Sequence, residues 1–161
     1  RLRVQAERER REARCREERQ KAMEQASREY WERWEKLRKK YEYRSGGLMI
    51  KVPEDGEEII QEGNVLHICV GGYAARHLTG QTTILFLRRE RKPGTPYICI
   101  EIREKDNTIV QIHGYRNEFL GNGRRARNPE DRFRQFLSEW LGWVKAGSKR
   151  TGKASRKDET A

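Results

Sequence analysis

The chain is poor in the residues that staple, kink or interrupt a fold. Its 161 residues include three cysteines and four prolines, and the first 45 contain neither proline nor glycine. Cys15, Cys69 and Cys99 form no CxxC pair and no even set, which excludes a disulfide framework and fits a reduced, cytoplasmic setting. No apolar run approaches the roughly 18 residues of a membrane span, and the charged N-terminus lacks the apolar stretch of a signal peptide, so no membrane partner is expected. Neither a Walker loop nor a GxGxxG turn is present, which removes the common nucleotide-cradling folds. The chain opens at Arg1 within a helical pattern and so reads as the C-terminal part of a longer protein.

Hydrophobic residues are also scarce, 34% against 38% charged, a balance that would mean disorder if it were spread evenly. It is not. The net charge of +11 divides as +6 over residues 1–44, +4 over 145–161 and +1 over the hundred between. A near-neutral body with basic arms points to a polyanionic partner, DNA or RNA, because clustered Lys and Arg release counterions from phosphate backbones. The alternative is a solubilising helix with a disordered tail. Three units follow: a charged helical extension at 1–44, a globular α+β domain at 45–146, and a disordered basic tail at 147–161.

Glu, Arg, Lys, Gln and Ala make residues 1–44 one long helix. Its first half has almost no apolar stripe and is expected to be held by pairs such as Glu12 with Arg16 and Glu17 with Lys21. Its second half repeats Met23, Ala26, Tyr30, Trp34, Leu37 and Tyr41 at steps of three and four, a face for the body or for a partner helix. Strands are expected at Leu48–Val52, Val65–Val70, Thr82–Arg89, Tyr97–Arg103 and Thr108–His113, with one helical turn at Glu57–Glu62 and a short helix at Tyr73–Leu78. Asn128 and Pro129 start a last helix whose buried stripe is Phe133, Phe136, Leu137, Trp140 and Val144. The result is a long N-terminal helix and a small antiparallel meander sheet with a short inserted helix, covered on one face by the C-terminal helix.

Polar groups placed in apolar strands carry a desolvation cost unless they pair or meet a ligand. His67, Arg88, Glu101 and Gln111 are therefore the candidate catalytic residues. If Leu85 and Leu87 share the apolar face with Ile98, Ile100 and Ile102, then Arg88, Cys99 and Glu101 occupy the other. A three-residue loop at Lys105–Asn107 sets Gln111 opposite Glu101. Arg88 could then clamp a phosphate with Glu101 as base, or the two could form a structural ion pair. His67 and Cys69, two apart on a strand, would share a face; Cys69 reads as a buried thiol first and a nucleophile second. Cys99, His77 and His113 fall at no metal-ligand spacing, so no metal and no cofactor is implied. Gly71 and Gly72 could offer backbone N–H groups to an anion. Arg124, Arg125 and Arg127, with Lys149 and Arg150 in the tail, are candidate phosphate contacts.

The strings EGNVLHICVGGY, ILFLR, PYICIEI and IVQIHGYRN, in that order between Glu62 and Asn117, resemble the core of the PcfJ-like family of conjugative plasmids, integrative elements and phages. The matching positions are His67, Cys69, Val70, Gly71, Tyr73, Arg88, Glu101, Gln111, Gly114 and Asn117, and they add Tyr73 and Asn117 to the candidate ligand-binding set with Cys69, Gly71 and Gly72. Ile68 stands where the family has a second histidine and Cys99 where it often has threonine. The resemblance implies a bacterial mobile element, with an accessory role in transfer or replication. The alternative is an enzyme acting on a nucleotide or nucleic-acid phosphate through the Arg, Glu, His and Gln set.

Overall fold

A computed structural model describes residues 1–117 and 133–147. The helix-forming opening becomes α1, Leu2–Tyr41, with Arg38, Lys39 and Lys40 at the negative end of its dipole. Residues 1–22 are exposed throughout, whereas Tyr30, Leu37 and Tyr41 are buried and Met23, Ala26 and Trp34 pack around them. Glu12 pairs back to Arg8 at 3.1 Å, not forward to Arg16, whose Nε donates to the Glu12 carbonyl at 3.4 Å. Glu17 and Lys21 form no ion pair.

The helix stops three residues short of the expected Arg44 because Tyr43–Ser45 is taken as strand β1. It pairs with β2, Leu48–Lys51, through the two-residue loop Gly46-Gly47. Both glycines have positive φ, 57° and 83°, which is what a hairpin loop of this length needs to match strand twist.

Between β2 and the next strand the chain departs most from expectation. Helix α2 runs from Gly56 to Leu66, three turns where one was expected and where residues 65–70 were read as strand. Asp55 caps it by accepting from Glu58 N at 2.8 Å, and Glu58 Oε2 accepts from Glu54 N at 2.7 Å. Ile59, Glu62, Gly63 and Leu66 form its buried stripe at helical spacing. His67 then turns left-handed (φ 53°, ψ 47°) and the chain enters a 3-10 helix, Cys69–Tyr73, followed by α3, Ala74–Leu78.

Strands β3 (Thr83–Arg89), β4 (Ile98–Arg103) and β5 (Thr108–His113) form the meander, giving a five-stranded antiparallel sheet in the order β1-β2-β3-β4-β5. Leu85 faces Ile100 and Leu87 faces Ile98, as the alternation required. Gln111 does lie across from Glu101, by a different route: Arg103 pairs with Thr108 and Ile102 with Ile109, and a bulge then shifts the register.

The sheet is covered on both faces, not on one. One core joins α1, Ile50, Leu85, Leu87, Ile98, Ile100, Ile102 and the last described helix, α4 (Arg134–Lys145), through Phe136, Leu137, Trp140 and Val144. The other sets Ile59, Leu66, Ile68, Val70 and Ala74 against Ile84, Phe86 and Cys99. The expected start of α4 at Asn128-Pro129 lies outside the described residues. Trp140 Nε1 donates to the Tyr41 carbonyl at 2.9 Å and so ties α4 to the end of α1.

Gly63 lets α2 meet its own continuation. A Cβ there would lie 3.1 Å from both Gly71 N and Ile68 O and 3.2 Å from Val70 Cγ1, and the backbone atoms cannot rotate away. Gly142 in α4 is exposed and has nothing within 4 Å. Gly63→Ala should therefore destabilise by about 1–3 kcal/mol despite alanine's better helix propensity, while Gly142→Ala should stabilise by up to about 1 kcal/mol. Equilibrium denaturation of the two variants checks the sign in each case.

Candidate functional site

Across the sheet face that carries Ile84, Cys99 and Glu101, the 3-10 helix lies over the β3-β4-β5 strands and leaves a cavity of about 180 Å3. Ile68, Val70 and Ile84 give it an apolar wall, and Cys69, Tyr73, Glu101, Gln111 and His113 bring polar atoms to it. Glu101 is half-buried, and its Oε2 is fully buried with no hydrogen-bond partner among the described residues. Gln111 Oε1 lies 3.0 Å from His113 Nε2, so with a proton on that nitrogen the amide oxygen is satisfied and the amide N–H groups are left to donate. Bulging between the Glu101 and Ile102 pairs is what turns Gln111 and His113 to this face.

Of the four candidate catalytic residues, the structure brings Glu101 and Gln111 together here. Arg88 is elsewhere. Opposite Glu101 on β3 stands Ile84, four residues from Arg88, roughly 13 Å along the strand. Arg88 is buried, its Nη2 2.5 Å from Glu62 Oε2, its Nη1 donating to the Pro93 carbonyl at 3.0 Å and its guanidinium 4.8 Å from the Phe86 ring centre. The Arg88–Glu101 ion pair weighed from the sequence thus does not form; the partner is Glu62 of α2. Burial pushes the Glu62 carboxyl up to about 7, against the lowering pull of Arg88. Burial likewise raises the Cys99 thiol well above its ordinary value, so it is a packed, protonated group.

His67 and Cys69 do not share a strand face. His67 is the exposed left-handed cap of α2, its ring edge-on to Tyr115 at 5.3 Å, and Cys69 is an exposed residue at the start of the 3-10 helix, on the cavity wall. Gly71 and Gly72 lie within that helix, and Gly71 approaches the backbone of Ile60. Asn117 closes a second 3-10 turn, Tyr115–Asn117, where Arg116 is left-handed. Two residues escaped the sequence reading. His113 was weighed only as a metal ligand, and Glu62 was not singled out, although a carboxylate three residues after Ile59 and four before Leu66 sits on a buried helical stripe and needs a cation.

A second feature is electrostatic. Arg3, Arg10, Arg14, Lys21 and Arg28 recur along α1 at steps of seven, four, seven and seven, all exposed, which places them on one stripe. Tyr30, Leu37 and Tyr41 lie on the opposite side of the helix, roughly 180° away, so the stripe faces away from the body, with Glu7 and Glu17 flanking it. It extends over roughly 37 Å. Arg124, Arg125, Arg127, Lys149 and Arg150 lie outside the described residues. Among the described residues no group of three or more His, Cys, Asp or Glu gathers in metal-binding geometry, and no helix is long and apolar enough to cross a membrane.

Comparison with known proteins gives a family and one relative. The family model described as PcfJ-like protein matches residues 2–126, so the match takes in the whole of α1 as well as the sheet. The uncharacterized protein Lin1253/Lin1744 of Listeria innocua is 28% identical over 100 residues, which are 61% of this chain and 20% of that protein. The chain thus spans about one fifth of that relative's length. No solved structure matches.

Two buried groups titrate with opposite sign. Burial lowers His77 from an ordinary 6.5 to about 3, so between those values the unfolded chain binds the extra proton and stability is lost as pH falls. Glu62 is raised from 4.5 to about 7, so there the folded chain holds the extra proton and stability is lost as pH rises. Between pH 4.5 and 6.5 the two oppose. Glu62→Gln should unmask the histidine: unfolding free energy then rises with pH across that window at up to about 1.4 kcal/mol per pH unit. Denaturant titrations at several pH values read it, and an unchanged slope in the variant would refute the assignment.

Proposed function

The chain belongs to the PcfJ-like protein family, and from that premise we propose that it is a nucleic-acid-associated accessory protein of a mobile genetic element, acting in the element's transfer or replication. One observation carries the reading: the exposed basic stripe of α1, turned away from the face by which the helix is anchored. Five cations over roughly 37 Å match the length of about one duplex turn, and α1 is anchored at its other end through Tyr30, Leu37 and Tyr41. Arg124, Arg125, Arg127, Lys149 and Arg150 would add contacts of the same kind, since phosphate recognition needs charge and reach and little fixed geometry.

The other partner considered for α1, a helix of a second protein, would need an apolar seam. The free half of α1 offers only Leu2 and Val4 as exposed large apolar residues. The enzymatic alternative needed Arg88 as an anion clamp beside Glu101, and Glu62 and Pro93 engage that guanidinium. Charge-driven binding is therefore the reading with most support.

Binding of a labelled single strand and duplex, followed by fluorescence anisotropy, tests it. With about four phosphate contacts, affinity should fall about 100-fold between roughly 50 and 200 mM salt. Arg10→Gln, Arg14→Gln and Lys21→Gln should each weaken binding uniformly across sequences and lower the slope of log K against log salt by about one. Absence of binding at low salt to DNA and RNA alike would refute the proposal.

A further inference from the structure

Of the buried side-chain atoms without a partner among the described residues, which include Glu62 Oε1 and Arg88 Nε, Glu101 Oε2 is the one whose residue lines the cavity between the 3-10 helix and the β4-β5 pair. Ile68, Val70 and Ile84 give it apolar surface, yet Glu101 Oε2 is buried with no partner among the described residues, which is unfavourable unless a donor reaches it. Directly across the strand pair stands an amide whose oxygen is engaged by His113 and whose N–H groups are not. An ionised carboxylate accepts only, and an amide N–H2 donates only. The site therefore presents an acceptor and a donor side by side, in a space of about 180 Å3 that also has the Tyr73 ring and the Cys69 thiol on its wall.

We propose that this cavity binds a single unstacked purine of the guanine class, through Glu101 and Gln111. The complement is specific. A guanine edge carries a carbonyl oxygen, then a ring N–H, then an exocyclic N–H2. The carbonyl would accept from the Gln111 amide, and the two adjacent nitrogens would donate to the Glu101 carboxylate in the forked manner that carboxylates accept. Adenine presents an amino donor but no carbonyl and a bare acceptor nitrogen where guanine has N–H, so it meets the carboxylate with a lone pair. The space, about 180 Å3, exceeds the roughly 150 Å3 that houses a single benzene ring, and the cavity is partly open, so a second ring can extend towards solvent. Tyr73, Ile68 and Val70 provide the flat and apolar surface on which a base displaced from its stack can rest.

The base could come from a free nucleotide or from a guanine in a single strand. The second source rests on the nucleic-acid reading above; the first does not.

Calorimetric titration of the full chain with guanosine monophosphate, inosine monophosphate and adenosine monophosphate tests the edge without any mutation. Guanosine monophosphate should bind best, inosine monophosphate about tenfold more weakly for want of the exocyclic N–H2, and adenosine monophosphate more weakly again, by about 100-fold. Glu101→Gln keeps the shape and turns one acceptor into a donor; it should abolish the preference for guanine while leaving thermal unfolding within a few degrees. Equal affinities for the three nucleotides, or an unchanged preference in Glu101→Gln, overturn the proposal. Two strands separate the sources and the two readings: an oligothymidylate reports the charge contacts of α1 alone, and one carrying a single guanine adds the cavity. If the guanine strand gains at least tenfold over the oligothymidylate and Glu101→Gln removes the gain, the strand is the source. If only the free nucleotide binds and no strand does, the cavity reading stands and the nucleic-acid reading fails. If strands bind with no guanine preference and no nucleotide binds, the reverse holds.

Discussion

The fold turns on one buried imidazole. His77 of α3 is fully buried, and its Nδ1 accepts from Ile84 N of β3 at 2.9 Å. That bond leaves the proton on Nε2, which lies 2.7 Å from Tyr30 Oη of α1, and the phenol in turn donates to the Pro53 carbonyl at 2.7 Å. One neutral histidine thus joins the long helix, the short helix, the central strand and the chain leaving β2. Every hydrogen in the relay has a single consistent direction, and a second proton on the ring would break the bond to Ile84. The low pKa follows from burial and, second, from the charge of Arg33, whose guanidinium reaches the His77 and Thr82 carbonyls, Thr83 Oγ1 and Glu104. Arg33 caps the same junction from the α1 side.

The two faces of the sheet solve different problems. Towards α1 and α4 the strands show Leu85, Leu87, Ile98, Ile100 and Ile102, and the aromatic rings of Tyr41, Trp140, Tyr43 and Phe136 complete a dry core. Polar atoms there are few, and Trp140 and Tyr41 settle theirs on backbone or loop groups. The other face carries Arg88, Cys99 and Glu101 under a thin cover of α2 and 3-10 helix. A charge on that face must be matched, and the sheet does so at one end only: Arg88 with Glu62, a pair whose separation would leave a buried ion uncompensated. At the other end Glu101 lines a cavity, and its Oε2 has no partner among the described residues. Two carboxylates share this small layer: Glu62 gives one oxygen to Arg88 while its Oε1 is buried without a partner among the described residues, and Glu101, whose Oε2 is equally unpartnered, is the one that lines a cavity.

How much of this the sequence discloses depends on the range of the interaction. The β3-β4-β5 meander was readable because alternation and two strong turn compositions are local signals, and the pairing of Leu85 with Ile100 follows from keeping one face apolar. The Glu101–Gln111 pairing was anticipated through a simple loop and is achieved by a bulge, an equivalence of register that no local signal distinguishes. Residues 65–70 were misread because Val65, Ile68 and Val70 favour strands, while the true determinant lies upstream: Asp55 with Glu58 three residues later is a capping pair, and it starts a helix that carries through Leu66 before the left-handed His67 stops it. The partner of Arg88 was out of reach, since Glu62 and Arg88 meet only once α2 is laid over the sheet. Cover on the second face was missed for the same reason. With α2 read as one turn and a strand, no element remained to supply it.

The direction of the basic stripe follows from phase alone. Tyr30 is fixed to His77 and Pro53, and Tyr41 holds Trp140 through its carbonyl, so two contacts eleven residues apart set the rotation of α1 about its axis. Each residue along a helix advances the side chain by roughly 100°, and Arg28, two before Tyr30, therefore points well away from the anchored face. Arg3, Arg10, Arg14 and Lys21 inherit that bearing because their spacing keeps the phase of Arg28 over seven turns. The stripe needs no contact of its own to be aimed. Its bearing is dictated by the buried junction at the far end of the helix, so the interaction that closes the core also determines which way the basic stripe faces.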